Sequence, residues 1–163
     1  MKLLTRTLTL LTITCLALFF ANCGGDDGEG TPVEKTQLGK LKGEWVIVSA
    51  TLQGGTPTPD KTADYAGFEL ELDGTFDADN ELPFPYDYTA SNRPDLSPWE
   101  ANGDWGFGSN PKTQVLRDDG MGITYSIASN GNLTLMYNYT GPGIAGRTAE
   151  VEGNWTLVLE PKP

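Results

Sequence analysis

Beyond residue 22 no stretch of this chain keeps an apolar residue in helical register over three turns. The apolar residues are strung instead at period two, in short runs broken by glycine and proline. Each such run can bury one face of a β-strand. A helical bundle is excluded, and 20 glycines and 11 prolines reinforce the point.

The first run is Trp45 to Leu52, opened by Gly43 and closed by Gly54-Gly55. Phe68, Leu70 and Leu72 then alternate with Glu69 and Glu71 and reach Asp73-Gly74. That dipeptide favours the two-residue type I′ turn, so a return strand is expected over Thr75 to Ala78. Further strands are expected from Asp104 to Phe107 and from Thr113 to Arg117. Ile123, Tyr125 and Ile127 then run into an Asn130-Gly131 turn, and Leu133, Leu135, Tyr137 and Tyr139 return. The last run, Asn154 to Glu160, puts Trp155, Leu157 and Leu159 on one face, and Pro161 and Pro163, which cannot donate to a ladder, stop it. About eight strands with hairpin-like connections point to an all-β fold. The expected architecture is an eight-stranded antiparallel up-and-down barrel, which removes exposed edges; a two-sheet β-sandwich is the alternative, since alternation is common to both.

The amino-terminal stretch follows another pattern. Lys2 and Arg6 precede an apolar run from Leu8 to Phe20, and Ala21-Asn22-Cys23 gives way to Gly-Gly-Asp-Asp. A positive start, a short apolar centre and a small-residue processing site are expected of a bacterial-type export leader. The run is shorter than the roughly 20 residues a membrane helix needs. The expected organisation is a leader over 1–22, Cys23 with a flexible acidic and glycine-rich linker over 23–38, and one barrel domain over 39–163. Cys15 leaves with the leader, so no disulfide can staple the domain and its stability must come from a core.

Charge and composition exclude whole classes of function. The formal net charge is −11, and losing Lys2 and Arg6 makes the mature body more acidic still, so nucleic acid and anionic headgroups are excluded as partners. The chain has no histidine, which removes Ser-His-Asp and Cys-His catalysis and ordinary zinc sites. A non-enzymatic protein without cofactor or metal is expected. Carboxylate chemistry has one candidate pair, Glu69 and Glu71, but alternation directs both to the outer, polar face. Asp77-x-Asp79-Asn80-Glu81 offers closely spaced oxygen ligands, yet lacks the full register of an EF-hand and reads as an acidic turn facing water.

Phe20-Ala21-Asn22-Cys23 resembles the lipobox of bacterial lipoproteins. The resemblance implies a lipid on the Cys23 sulfur, through which the protein would be held at a membrane, and a place in the bacterial envelope as an outer-membrane lipoprotein, on the periplasmic face or the cell surface. Leu41-Lys42-Gly43-Glu44-Trp45, with Ser49 after it, resembles the Gly-x-Trp opening of lipocalin-like domains. Asp73-Gly74-Thr75-Phe76, Gly103-Asp104-Trp105 and Gly153-Asn154-Trp155, with Leu157 and Leu159, are similar to features of the lipocalin-like lipoproteins of the Bacteroidetes. This resemblance implies an eight-stranded barrel that holds a small, largely apolar ligand.

The segment from Asp79 to Asn102 breaks the hairpin rhythm. It holds Pro83, Pro85, Pro94 and Pro98 and is far longer than the roughly 4 to 6 residues of an ordinary connection. It also carries Phe84, Tyr86, Tyr88 and Trp99, large rings that a disordered loop tends to lack. Tyr86, Tyr88, Trp99 and Trp105 are the candidate ligand-binding residues, covering the barrel mouth or stacking on a small hydrophobic molecule or a glycan. The competing expectation is that the loop folds over one end of the barrel as a hydrophobic plug. A different role for the same loop is docking on another envelope protein, with no small ligand.

Overall fold

The computed structural model describes residues 32–53, 59–95, 97–140 and 151–163. The leader, Cys23 and most of the stretch expected to be linker lie outside these residues. The described chain opens with a helix, α1 (Val33–Leu41), followed by eight strands: β1 (Gly43–Gln53), β2 (Glu69–Asp73), β3 (Tyr86–Ser91), β4 (Asn102–Phe107), β5 (Gln114–Arg117), β6 (Gly122–Ile127), β7 (Leu133–Tyr139) and β8 (Gly153–Pro161). Every neighbour is antiparallel, and β8 returns to pair with β1, closing the sheet into a barrel in sequence order. The barrel of the two expected architectures is therefore the one that forms.

Alternation drives the closure. Trp155, Leu157 and Leu159 of β8 and Leu133, Leu135 and Tyr137 of β7 all face inward and are buried, while the residues between them face out. Burying each such side chain contributes about 1.5–3 kcal/mol. At Ile47 to Ser49 the β1–β8 register shifts by a bulge. The extra residue, Val48, is left 43% exposed. The β6–β7 hairpin turns where the sequence indicates, with a wider loop than two residues. Gly131 N–H donates to the Ala128 carbonyl and Ala128 N–H to that of Asn132, both at 2.9 Å. Gly131 sits at φ +88°, the left-handed position of a type I turn with a G1 bulge.

Two expectations along the chain are corrected. Thr75 to Ala78 is not a strand, and β2 pairs instead with β3 at Tyr86 to Ser91, inside the segment taken for a loop. A type I′ turn needs positive φ at both central residues. Here Gly74 has it and Asp73 does not, so the chain leaves the sheet and comes back twelve residues later. The strand total of eight holds because one strand was misplaced and another hidden.

The helix was not expected either, and it begins at Val33, within the stretch assigned to the linker. Glu34 in its first turn and Lys40 in its last complement the helix dipole. Leu38 and Leu41 are buried, and Leu41 accepts a 2.8 Å hydrogen bond from the Trp45 indole. Gln37 meets the Tyr125 hydroxyl at 3.3 Å. The helix thus closes the end of the barrel where β1 begins. The opposite end is covered by the segments around Tyr65, Phe68 and Ser97–Trp99, all buried.

Candidate functional site

The aromatic residues singled out from the sequence come together inside the barrel. Strand β3 has strict alternation, which turns Tyr86, Tyr88 and Ala90 inward and Asp87 and Thr89 outward. Tyr86 lies opposite Trp105 of β4, with ring centroids 4.8 Å apart. Trp105 donates its indole N–H to the Asp87 carbonyl at 3.0 Å. Tyr88 lies opposite Gly103, whose missing side chain makes room for the phenol; a Cβ there would stand 2.7 Å from the hydroxyl.

Trp99 enters from the covering segment at the far end. Its ring meets Tyr88 edge-on at 5.4 Å and Tyr137 at 6.1 Å, and its indole N–H donates to the Tyr137 hydroxyl at 3.0 Å. Arg93 donates to the Trp99 carbonyl, and the Ser97 hydroxyl lies 3.4 Å from that of Tyr65. Tyr86, Tyr88, Trp99 and Trp105 are each 2–3% exposed. They belong to one buried core and meet in two ring groups, Tyr86 with Trp105 and Tyr88 with Trp99, turned away from solvent. Arg93 and Ser97 to Trp99 lie over this end of the barrel, with Ser97 and Trp99 buried.

Arg117 was missed as a site residue. It is 1% exposed, with its guanidinium carbon 4.9 Å from the Trp99 ring centroid and 5.3 Å from that of Tyr88. Nη1 donates to the Pro98 carbonyl at 2.9 Å and Nη2 pairs with Asp119 at 2.7 Å, while Nε has no hydrogen-bond partner. Desolvated cation–π contact contributes about 2 kcal/mol, whereas the pair with Asp119, whose side chain is 36% exposed, is partly screened by solvent and contributes less than a fully buried pair. The signal was in the sequence: Val115 and Arg117 share a face in β5, so an inward Val implies an inward Arg.

Burial governs the tyrosine chemistry. It pushes Tyr65 up to about 12, against the opposing effect of the Ser97 hydrogen bond. It also pushes Tyr88 up to about 12, against the nearby Arg117, and Tyr125 up to about 12. Tyr137 is raised well above the ordinary value, again by burial first. All four therefore stay protonated at neutral pH.

Among the described residues, a void of about 20 Å³ lies inside the barrel, bordered by Leu72, Tyr88, Trp105, Ile123 and Leu135 among others. That holds about one water molecule and no ligand. At the end that Trp99 covers, a depression of about 280 Å³ is lined by Lys61, Asp64, Tyr65, Asp95, Val151 and Trp155, with Pro94 at its edge. Lys61 and Asp64 form an ion pair at 3.4 Å, and Tyr65 meets Trp155 edge-on at 5.6 Å.

Outside, the barrel has two unlike faces. Strands β2 to β4 display Glu69, Glu71, Asp73, Asp87 and Asp104. Glu69 and Glu71 point outward as expected, and Glu69 is bonded to Lys162 at 3.0 Å. Partial desolvation, then the carboxylates of Asp118 and Asp87, push Asp104 up, while the Lys42 ammonium holds Asp73 down. Strands β5 to β8 and the body of β1 turn out uncharged residues instead: Thr124, Met136, Thr156 and Thr51 form one transverse row, and Ser126, Thr134, Val158 and Ser49 the next. In the Asp77–Leu82 turn, the side chains of Asp77 and Asn80 accept from the backbone N–H groups of Asp79 and Leu82.

No protein-family model, no curated protein and no solved structure matches this chain. The coordinates establish the class, a closed eight-stranded antiparallel β-barrel.

Proposed function

We propose that this protein is a lipid-anchored, non-enzymatic lipoprotein of a bacterial envelope, with a lipocalin-like domain that binds a small polar molecule of the glycan class at one end of its barrel. The closed barrel of eight antiparallel strands is compatible with a lipocalin-like fold, and the leader and the lipobox-like segment ending at Cys23 support the anchor and an outer-membrane location. The observation that carries the ligand reading is a filled interior together with a depression that sets Lys61, Asp64 and Asp95 against the aromatic residues Tyr65 and Trp155 at the end Trp99 covers. An interior void of about 20 Å³ has no place for a hydrophobic guest, whereas the depression of about 280 Å³ beside Trp155 is large enough for a sugar ring. Its Lys61, Asp64 and Asp95 favour hydroxyl-bearing ligands over apolar ones. The other reading, docking on an envelope protein through the aromatic loop, has less support because Tyr86, Tyr88 and Trp99 are turned inward.

Native mass spectrometry of detergent-extracted protein, followed by titration with envelope disaccharides under tryptophan fluorescence, tests this. A co-purifying sugar whose binding is lost in Lys61→Ala and Asp95→Ala, with melting unchanged, is the expected result. A stoichiometric protein partner, or binding indifferent to both substitutions, refutes it. Intact mass showing an unmodified Cys23 thiol removes the anchor.

A further inference from the structure

We infer that the uncharged face formed by β5, β6, β7, β8 and β1 is a self-association surface, on which a second copy of this chain docks. The chain carries 22 acidic against 11 basic residues, yet no outward side chain in the two transverse rows through Thr156 and Val158 bears a charge. The third row, Asn138, Asn154 and Gln53, is uncharged too, and Asn138 donates to Asn154 across the strands at 2.8 Å. Among the described residues the charges nearest this face lie at its margins: Asp60 beside Thr51, Glu44 and Glu160 at the helix-capped end, and Glu100 and Asp119 beside Asn138. Two of the four large apolar side chains exposed among the described residues, Val48 and Met136 at 43% each, lie on this face.

The charge distribution selects the occupant. Two copies of so acidic a body repel wherever their carboxylates meet, and strands β2 to β4 carry Glu69, Glu71, Asp73, Asp87 and Asp104 outward. When the uncharged faces meet about a twofold axis, those carboxylates point away on opposite sides. The separation then exceeds the roughly 8 Å over which physiological salt screens charge. A cationic partner has its complement on the acidic face, not here.

Strand spacing of about 4.8 Å over five strands and three rows of about 6.7 Å give a patch near 480 Å². The pair buries at most on the order of 1,000 Å², and the convexity of the barrel trims that. The association is therefore weak, reversible and concentration-dependent.

Sedimentation equilibrium of the full chain, in density-matched detergent where it carries lipid, reads the association directly. A monomer–dimer equilibrium that tightens as salt rises is expected. Thr156→Glu, at the centre of the face, is expected to weaken it at least tenfold, while Thr89→Glu on the acidic face leaves it unchanged. Mixing Thr156→Glu with Thr156→Lys restores a heterodimer, which misfolded variants could not do. A monomer at all concentrations up to about 1 mM, a dimer indifferent to Thr156→Glu, or binding of a different protein to a chain that does not self-associate each overturns the inference.

Discussion

Trp99→Ala is the perturbation that most directly probes how the barrel is filled. The side chain is 2% exposed and donates to Tyr137. It also packs edge-on against Tyr88 and lies 4.9 Å from the Arg117 guanidinium. Truncation removes roughly 140 Å³ of packed volume, which at about 24 cal/mol per Å³ of residual cavity costs about 3 kcal/mol. The lost hydrogen bond adds about 1 kcal/mol. The ring and cation contacts overlap with the packing loss, so a total of about 4–5 kcal/mol is the working value, in line with Trp→Ala changes in other cores. For the 116 described residues the unfolding entropy is roughly 0.24 kcal/mol/K, so the melting temperature falls by roughly 16–20 °C. Urea unfolding followed by the fluorescence of Trp45, Trp105 and Trp155 measures the loss, with an unchanged m-value showing that the unfolded state is not the cause. Millimolar indole, filling the space the side chain left, is expected to return part of the lost stability. A cost below about 1 kcal/mol, with no response to indole, would mean that Trp99 lies on the surface as a lid and that the plug reading is wrong.

Two further outcomes follow from the same geometry. Tyr65, Tyr88 and Tyr125 have folded pKa values near 12 and Tyr137 one well above the usual range. Their contribution to stability is fully present below the unfolded value of about 10 and is lost as pH rises from there through the folded values. Phenolate absorbance should therefore rise together with loss of near-ultraviolet circular dichroism between about pH 10 and 12, and a phenolate step for these residues in still-folded protein would contradict their burial. Gly106→Ala places a Cβ 2.3 Å from the Pro83 carbonyl oxygen, a backbone atom with little freedom to move. A loss of about 1–3 kcal/mol is expected. Gly122→Ala, whose nearest neighbour would be 3.7 Å away, should change melting little. Equal melting of the two variants would show that the chain around Pro83 does not pack on β4.

Where the sequence was legible, the signal was local. The β6–β7 hairpin shows in the alternation of Ile123, Tyr125 and Ile127 with their neighbours and in Asn130-Gly131, because a hairpin needs only adjacent residues and a turn. Strand β3 has the same alternation, Tyr86, Tyr88 and Ala90 inward, but Pro83, Pro85, Pro94 and Pro98 around it suggest a loop. Those prolines lie outside the strand, where no ladder hydrogen bond is asked of them. Tyr86, Tyr88 and Trp99 of that stretch are buried. Whether they face a ligand or one another depends on which way β3 and the Trp99 segment turn relative to β4 and β5.

Composition and period by themselves determined that the body is all-β and closed by hairpins, because period-two burial leaves each strand one apolar face and an unpaired edge that only another strand can satisfy. They also determined that no histidine- or thiol-based chemistry is available to the folded body. Only the tertiary structure decided that the barrel is solid. Interior volume depends on how Leu41, Tyr88, Trp99, Trp105, Arg117 and Leu135, drawn from a helix, a loop and strands spread along the chain, fit one space, and packing of that kind leaves no trace in local pattern. The tertiary structure likewise sorted the carboxylates to one side of the barrel and the uncharged residues to the other. Each strand alternates in the same way, and only their order around the barrel gathers like with like.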